Sequence, residues 1–323
     1  MSVKNKSEWL AARVVERVDE TNRIIGVELA GIDSEPLPSF TAGSHIDIRV
    51  EDNLIRQYSI CNDPDQPGRY RLGILLDENS RGGSKELHKR LVPGANIQIS
   101  HPRNLFPLVD NAEHVTLLAG GIGITPLMSM AYELNHRGIP FDFHVCTRDS
   151  ESVPFRSVLN LWKDQTHLHF SDIEDKNHPP LNQTTDIPDY QPGRYLYTCG
   201  PDGFMTHVRR LAIEKGWPDD AIREEHFSAN PVTGGEEFRV VAHQSGVEIE
   251  VGPEETIAEA LIAAGVEVQL CCEQGICGSC MTPVLEGVPD HRDLFMTGNE
   301  HAANNYITPC CSRSKTTTLV LDI

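Results

Sequence analysis

The sequence has no long apolar run: nothing in it approaches the roughly 18 consecutive apolar residues of a membrane-spanning helix. Cations are also scarce. Lys and Arg number 28 against 47 Asp and Glu, a formal net charge of −19. That sign is opposite to what grips nucleic-acid phosphates, so nucleic-acid binding is not expected. The opening residues Met1-Ser2-Val3-Lys4-Asn5-Lys6 lead into no apolar stretch of secretory type, and the cytoplasm is the expected location. There is no H-E-x-x-H pair, no G-x-S-x-G turn, and no Cys-x-His with a matching Cys-x2-His. His167-x-His169 stands on an expected strand without acidic company, so no mononuclear metal site is expected.

What is present is uneven. The chain has 323 residues, enough for two or three domains at roughly 100–200 residues each. Residues 235–323 hold 14 acidic and 4 basic residues, over half of the net negative charge. This acidic balance is either a solvated surface or a field that steers docking onto a basic patch. Six of the nine cysteines also fall there: Cys271, Cys272, Cys277, Cys280, Cys310 and Cys311. In a reducing compartment such a cluster reads as metal-binding or catalytic.

Three sections follow one another. Short strand-like runs fill the first hundred residues (Val14-Val15, Ile24–Leu29, His45–Val50, Gln57–Ile60, Tyr70–Leu76, Asn96–Ser100), with one helix expected at Ser84–Leu91. This spacing suggests an antiparallel barrel or sandwich. From about residue 110, strands at His114–Ala119, Phe141–Cys146, Leu168–Phe170 and Arg194–Thr198 alternate with helices. One helix runs to about His136, and others are expected at Phe155–Lys163 and Phe204–Lys215. That alternation argues for a parallel α/β sheet. After the Pro/Gly linker Asn230–Gly235 come a hairpin (Glu237–Ala242, Val247–Val251), a helix (Thr256–Ala264), the cysteine loop and a last strand at Thr317–Leu321.

Cys272-x4-Cys277-x2-Cys280 has the spacing of a plant-type [2Fe–2S] loop. A fourth thiolate is required. Cys310, with 29 residues between it and Cys280, is the candidate, and Cys311 stays open as a competitor. Gly275, Gly278 and Ser279 let backbone N–H groups turn toward the sulfurs, which favours the reduced cluster. The bland alternative is a zinc knuckle, whose usual two C-x2–4-C pairs are not both present.

At this point the chain resembles a known family. Leu270–Cys280 and Cys310-Cys311-Ser312-Arg313 resemble the C-terminal ferredoxin of the phthalate dioxygenase reductase family, within the ferredoxin–NADP reductase superfamily. Two further motifs stand in that family's order. Arg56-Gln57-Tyr58-Ser59 supplies a cation for a phosphate, a ring for an isoalloxazine face and a hydroxyl for its N5 edge. Arg81-Gly82-Gly83-Ser84 opens a helix where backbone approaches an anion. The resemblance implies FMN as the flavin, with Gly82, Gly83 and Ser84 at its phosphate and backbone contacts from Gly73, Ile74 and Leu75.

Gly120-Gly121-Ile122-Gly123-Ile124-Thr125-Pro126 lies between a strand and a helix, the setting of a dinucleotide turn. It resembles the family's G-G-x-G-x-T-P, with the turn approaching a pyrophosphate and Thr125 near the nicotinamide. Cys199-Gly200-Pro201 resembles the family's C-G-P, which implies that Cys199 lies beside the nicotinamide C4. Thr147-Arg148 is a candidate for cofactor phosphate or ribose. Asp149 and Asp172 near the ribose would favour NADH. Phe227 is the aromatic implied to cover the flavin.

The expected domains are 1–108 (FMN-binding barrel), 109–230 (NAD-binding α/β) and 236–323 (β-grasp ferredoxin). The implied function is transfer of electrons from NADH through FMN and a [2Fe–2S] cluster to a terminal Rieske non-haem iron oxygenase. The expected oxygenase is an aromatic-acid dioxygenase or an O-demethylase. A carnitine-type oxygenase is the alternative acceptor. A ferredoxin-like carrier fed by another reductase is the alternative class.

Overall fold

The computed structural model describes residues 9–323 except 52–53, 67, 78–81, 173–179, 182–185 and 228–233. Arg81 and most of the Asn230–Gly235 linker therefore lie outside the described residues. The chain divides into two compact units, Met1–Phe227 and Ser228–Ile323.

The first unit begins with strands β1 (Leu10–Asp19), β2 (Ile24–Gly31), β3 (Ser44–Glu51), β4 (Leu54–Ser59) and β5 (Arg69–Leu75). Helix α1 (Gly83–Arg90) and strands β6 (Asn96–Ile99) and β7 (Arg103–Asn104) follow. They form a seven-stranded antiparallel sheet ordered β4-β3-β6-β1-β2-β5, with β7 on β3. A bridge between Ile60 and Leu72 and the bond Cys61 N→Arg71 O (2.8 Å) bring its two ends together as a barrel. Alternate residues point inward, and Val14, Val27, Leu29, Ile46, Ile48, Leu72 and Ile74 make one core.

The second half of this unit is β8 (His114–Gly120), α2 (Ile124–Arg137), β9 (Phe141–Thr147), α3 (Arg156–Leu159), β10 (Thr166–Phe170), β11 (Arg194–Cys199), α4 (Asp202–Glu214) and β12 (Ile222–Glu225). The strands are parallel and ordered β10-β9-β8-β11-β12. The order reverses between β8 and β11, so a crevice opens at the ends of those two strands, where open α/β sheets bind ligands. The helix expected at Phe155–Lys163 is instead the short α3 followed by a 3-10 turn, Asn160–Trp162. Phe155 itself has φ +55 and cannot be helical.

Barrel and sheet are joined by specific contacts. Glu20 pairs with Arg71 (2.8 Å) and accepts from the Phe155 backbone N–H (3.0 Å). The Arg71 guanidinium lies over the Phe155 ring. Tyr197 Oη accepts from Val109 N and donates to Pro107 O.

The second unit holds β13 (Phe238–Ala242), β14 (Val247–Val251), α5 (Ile257–Ala263), β15 (Thr282–Glu286), β16 (Pro289–Asp290), α6 (Gly298–Ala303), β17 (Tyr306–Ile307), β18 (Arg313–Ser314) and β19 (Thr318–Leu321). A mixed sheet ordered β14-β13-β19-β15-β17 packs its apolar face on Ile257, Ala260 and Leu261 of α5. Both helices start with a reciprocal capping box, Thr256 with Glu259 and Thr297 with Glu300. Among the described residues no helix is long and apolar enough to cross a membrane.

Glu20→Ala removes the acceptor for both Arg71 and the Phe155 N–H. We expect it to destabilise the first unit by about 2 kcal/mol, read as a lower urea midpoint. An unchanged midpoint would remove the clamp from the account.

Candidate functional site

Strand β4 carries Arg56-Gln57-Tyr58-Ser59 against β3, in the register Ile48↔Arg56 and His45↔Ser59. Alternation sends Arg56 and Tyr58 to one face and Gln57 and Ser59 to the other. Burial pushes the Tyr58 phenol up, so it stays a neutral ring. The guanidinium of Arg56 lies against the first turn of α1: a Cβ built on Gly83 would stand 2.6 Å from Arg56 Nε. The cap residue Gly82 has φ +98 and places no side chain over the helix start. Ser84 Oγ accepts from Asp77 N (3.2 Å), and His88 Nε2 ties α1 to the Ile74 carbonyl (3.0 Å). A cation and a helix N-terminus joined across a glycine suit a terminal phosphate group.

Gly73, on β5, also faces the nucleotide turn. A Cβ there would meet Thr125 Cγ2 at 2.7 Å, Phe155 Cζ at 3.0 Å and Ile122 Cδ1 at 3.1 Å. Its bareness brings the barrel onto the nucleotide turn. Ile74 is buried, and Leu75 pairs with Ile24 at the strand end.

The turn after β8 is compact. Gly121 to Gly123 form a 3-10 turn, then α2 begins with Pro126 in its first turn, where a missing N–H costs nothing. A Cβ on Gly123 would overlap the Cys199 carbonyl oxygen at 2.1 Å and the Gly200 nitrogen at 2.7 Å. Gly120 and Gly200 are closed off in the same way by Phe204, and Gly120 by Pro201 as well. These glycines serve protein-to-protein contact. Gly121, at φ +56, has nothing within 4 Å of a Cβ, so its side is open. Thr125 Oγ1 donates to Ile122 O (3.0 Å) and is buried.

The two motifs meet at the end of β11. Cys199 pairs with Ala119 on one side and Glu225 on the other. Ser59 Oγ donates to Glu225 Oε2 across 3.3 Å. Burial, above all, holds the Cys199 thiol well above the ordinary range, with Glu225 adding to it. Burial also pushes the Glu225 carboxyl up to about 8, against the Ser59 hydroxyl that lowers it. Ser59, Cys199 and the half-buried Glu225 thus meet where the barrel joins the switch point, in surroundings that favour the neutral thiol and carboxyl. Sequence reasoning passed over Glu225, because only the β11–β12 pairing brings it to Cys199.

The remaining candidates are spread around the rim. Thr147 ends β9, its Oγ1 donating to Asp149 O. Arg148 is exposed, and its carbonyl accepts from Asp172 N (2.9 Å), so these two sit at adjoining strand ends. Asp149 is used as a cap, accepting from Ser152 N and Oγ. Phe227 is 38% exposed just beyond β12 and belongs to none of the cores. On the opposite face, His144 Nδ1 and His169 Nε2 lie 2.9 Å apart, with Asp186 near His169 and Asp142 near His167. His167 and His169 therefore do have acidic company, supplied by other segments.

In the second unit the cysteine loop folds on itself. Glu273, Gly275 and Gly278 all have positive φ. The backbone N–H of Gln274 reaches Cys272 Sγ (3.4 Å) and that of Ser279 reaches Cys277 Sγ (3.5 Å). Cys280 Sγ and Cys310 Sγ are 3.3 Å apart. Thiol hydrogen bonds from Cys271 and Cys272 pull Cys277 down, and bonds to Cys272, Cys280 and Cys311 push Cys310 up. Cys311 faces Thr308 Oγ1 (3.3 Å) and Ser312 Oγ (3.8 Å). Four clustered thiols ringed by N–H donors suit an iron–sulfur cluster.

The architecture is that of a flavin reductase carrying its own ferredoxin. Residues 240–315 match the model of the 2Fe-2S iron-sulfur cluster binding domain. The chain is 43% identical over 304 residues to vanillate O-demethylase oxidoreductase of Pseudomonas sp. strain HR199, covering 93% of this chain and 95% of that one. It is 36% identical to the carnitine monooxygenase reductase subunit of Escherichia coli, over 94% and 95% of the two chains. A solved phthalate dioxygenase reductase superposes with a TM-score of 0.74 at 32% identity, covering 100% of both chains. The chain belongs to the phthalate dioxygenase reductase family. It is an NADH-dependent flavin iron–sulfur oxidoreductase, a reductase component of an oxygenase system, with FMN, NADH and a [2Fe–2S] cluster as cofactors.

Two predictions follow from this geometry. Glu225 has an ordinary carboxyl value of 4.5 when unfolded and about 8 when folded. Between those values the unfolded chain releases a proton that the folded chain keeps, so its contribution to stability falls as pH rises from 4.5 to 8. Glu225→Gln should flatten the urea midpoint across that window; an unchanged slope would place the titration elsewhere. Cys310→Ser should abolish the cluster absorbance while Cys311→Ser keeps it. The reverse pattern would move the fourth ligand to Cys311.

Proposed function

We propose that residues 1–108 hold FMN, residues 109–230 hold NADH and residues 236–323 hold the cluster. The chain passes electrons from NADH to the terminal Rieske non-haem iron component of an aromatic O-demethylase or aromatic-acid dioxygenase. The observation that carries the reductase reading is the meeting of Ser59, Cys199 and Glu225, which joins the barrel strand to the switch point. When bound, FMN takes up hydride and gives up single electrons, which the cluster relays.

The chain's own residues do the positioning. Arg56 and the Gly82–Ser84 turn hold the phosphate end of the flavin. Tyr58 and Ser59 place the ring. Thr125, Cys199, Gly200 and Pro201 bound the space for the nicotinamide, and Thr147 and Arg148 hold the other end of the dinucleotide. Phe227 covers the flavin from the rim. Burial favours the neutral forms of Cys199 and Glu225, which would keep charge away from the place where hydride is transferred. Cys272, Cys277, Cys280 and Cys310 ligate the irons.

Three vanillate O-demethylase oxidoreductases at 41–43% identity favour an O-demethylase partner over the carnitine-type one at 36%. An anaerobic NADH titration, followed by absorbance and low-temperature EPR, tests the internal chain. We expect flavin bleaching together with a rhombic reduced-cluster signal, and then oxidation of that signal by an aromatic O-demethylase oxygenase component. Flavin-free protein with an intact cluster would instead make the chain a carrier fed by another reductase.

A further inference from the structure

The second unit contains a group of ligand-type side chains that the electron-transfer reading leaves unused. Strand β16 leads into His291 and Asp293, and the capping box of α6 sets His301 and, at its left-handed end, Asn304 beside them. The His291 and His301 rings stack with centroids 4.4 Å apart and 16° between planes. Asp293 is fully buried at its side chain, His291 is 7% exposed and His301 29%.

The hydrogen bonds fix the chemistry of each atom. Asn304 Nδ2 donates to Ala302 O (3.3 Å), which turns its Oδ1 toward His291 Nε2 (3.2 Å). His291 Nε2 is then the protonated nitrogen, and Nδ1 carries a bare lone pair. That Nδ1 faces Asp293 Oδ1 at 3.9 Å, and neither atom has a hydrogen-bond partner although both are buried. The other carboxylate oxygen, Oδ2, accepts from Met296 N (2.8 Å) and lies 3.2 Å from His301 Nε2. Two lone pairs turned toward each other in a dry site repel, and burying such groups without a partner is costly. A cation between them removes both penalties.

We propose that His291, Asp293 and His301 form a mononuclear site for a divalent transition ion, with zinc the best match. Two imidazoles and one carboxylate are a zinc ligand set. Ligand atoms around tetrahedral zinc stand about 3.3 Å apart, given bonds of about 2.0–2.1 Å. Here His291 Nδ1 stands 3.9 Å from Asp293 Oδ1 and His301 Nε2 stands 3.2 Å from Oδ2 of the same carboxylate, and one ligand atom of each residue lies within 4.8 Å of the others. The partly exposed His301 edge leaves a fourth position open to water. The alternative cluster, His144 with His169, is already satisfied by its own 2.9 Å hydrogen bond. The proposed ion also has a setting beside the electron carrier. Leu294 N donates to Gly275 O (3.0 Å), and a Cβ on Gly275 would stand 3.0 Å from Asp293 Cα. A positive charge there backs the cysteine loop.

The test is equilibrium dialysis of the chelator-washed holoprotein against micromolar Zn2+, followed by metal analysis. We expect one zinc per chain beyond the cluster iron. His301→Ala and His291→Gln should each weaken it by at least about tenfold to a hundredfold, and His144→Gln should leave it unchanged. Cluster absorbance, retained in every variant, separates loss of the site from loss of the fold. No zinc in the parent, unchanged affinity in both His291 and His301 variants, or loss only in His144→Gln would overturn the assignment.

Discussion

The first unit depends on one backbone-to-backbone contact, Gly123 against the Cys199–Gly200 peptide. The space a Cβ would need is already occupied by the Cys199 carbonyl. Because that space is missing, the turn after β8 and the end of β11 lie flush, and the crevice at the switch point has a fixed floor. Gly120 and Gly200 extend the same contact beneath Phe204, and Gly73 repeats it between barrel and turn at Thr125. A methyl group at these positions would push apart the strands that bring Ser59 to Glu225. Glycine here works by absence of volume, whereas at Gly82 and Gly121 it works by freedom of φ.

The electrostatics divide along the same line. The end proposed for the phosphate has a cation, Arg56, and a helix start. The end where Ser59, Cys199 and Glu225 meet has two ionisable groups, and burial raises both toward their neutral forms. A charged carboxylate there would oppose electron density arriving on a neighbouring ring. Desolvation raises the Glu225 carboxyl, and the Ser59 hydroxyl opposes that shift.

The cysteine loop, R-x-Y-S, G-G-x-G-x-T-P and C-G-P were legible because their residues are neighbours in sequence. So were the layers, since period-two strands and alternating strand–helix runs write their pattern locally. Glu225 was not legible: nothing near it marks it until strand pairing sets it against Cys199. His167 and His169 looked isolated for the same reason, since Asp142 and Asp186 arrive from other segments. The helix at Phe155–Lys163 failed for a long-range reason. Phe155 is held at positive φ by its contacts to Glu20 and Arg71, a tertiary demand that overrides an apolar pattern suited to a helix.

The fourth ligand shows where spacing stops and packing decides. Between Cys280 and Cys310 the chain makes β15, β16, α6 and β17 before returning, so 29 or 30 intervening residues are equally reachable. What separates the neighbours is the direction each side chain takes. Cys310 Sγ lies against Cys280 Sγ, while Cys311 Sγ is held by the hydroxyls of Thr308 and Ser312. Cys311 also closes over Gly275, where a Cβ would stand 2.5 Å from its sulfur. These contacts support the proposal of Cys310 as the ligand, with Cys311 behind the loop. The small, buried Cys311 thiol shares hydrogen bonds with the hydroxyls of Thr308 and Ser312, and Ala would leave those hydroxyls without that partner.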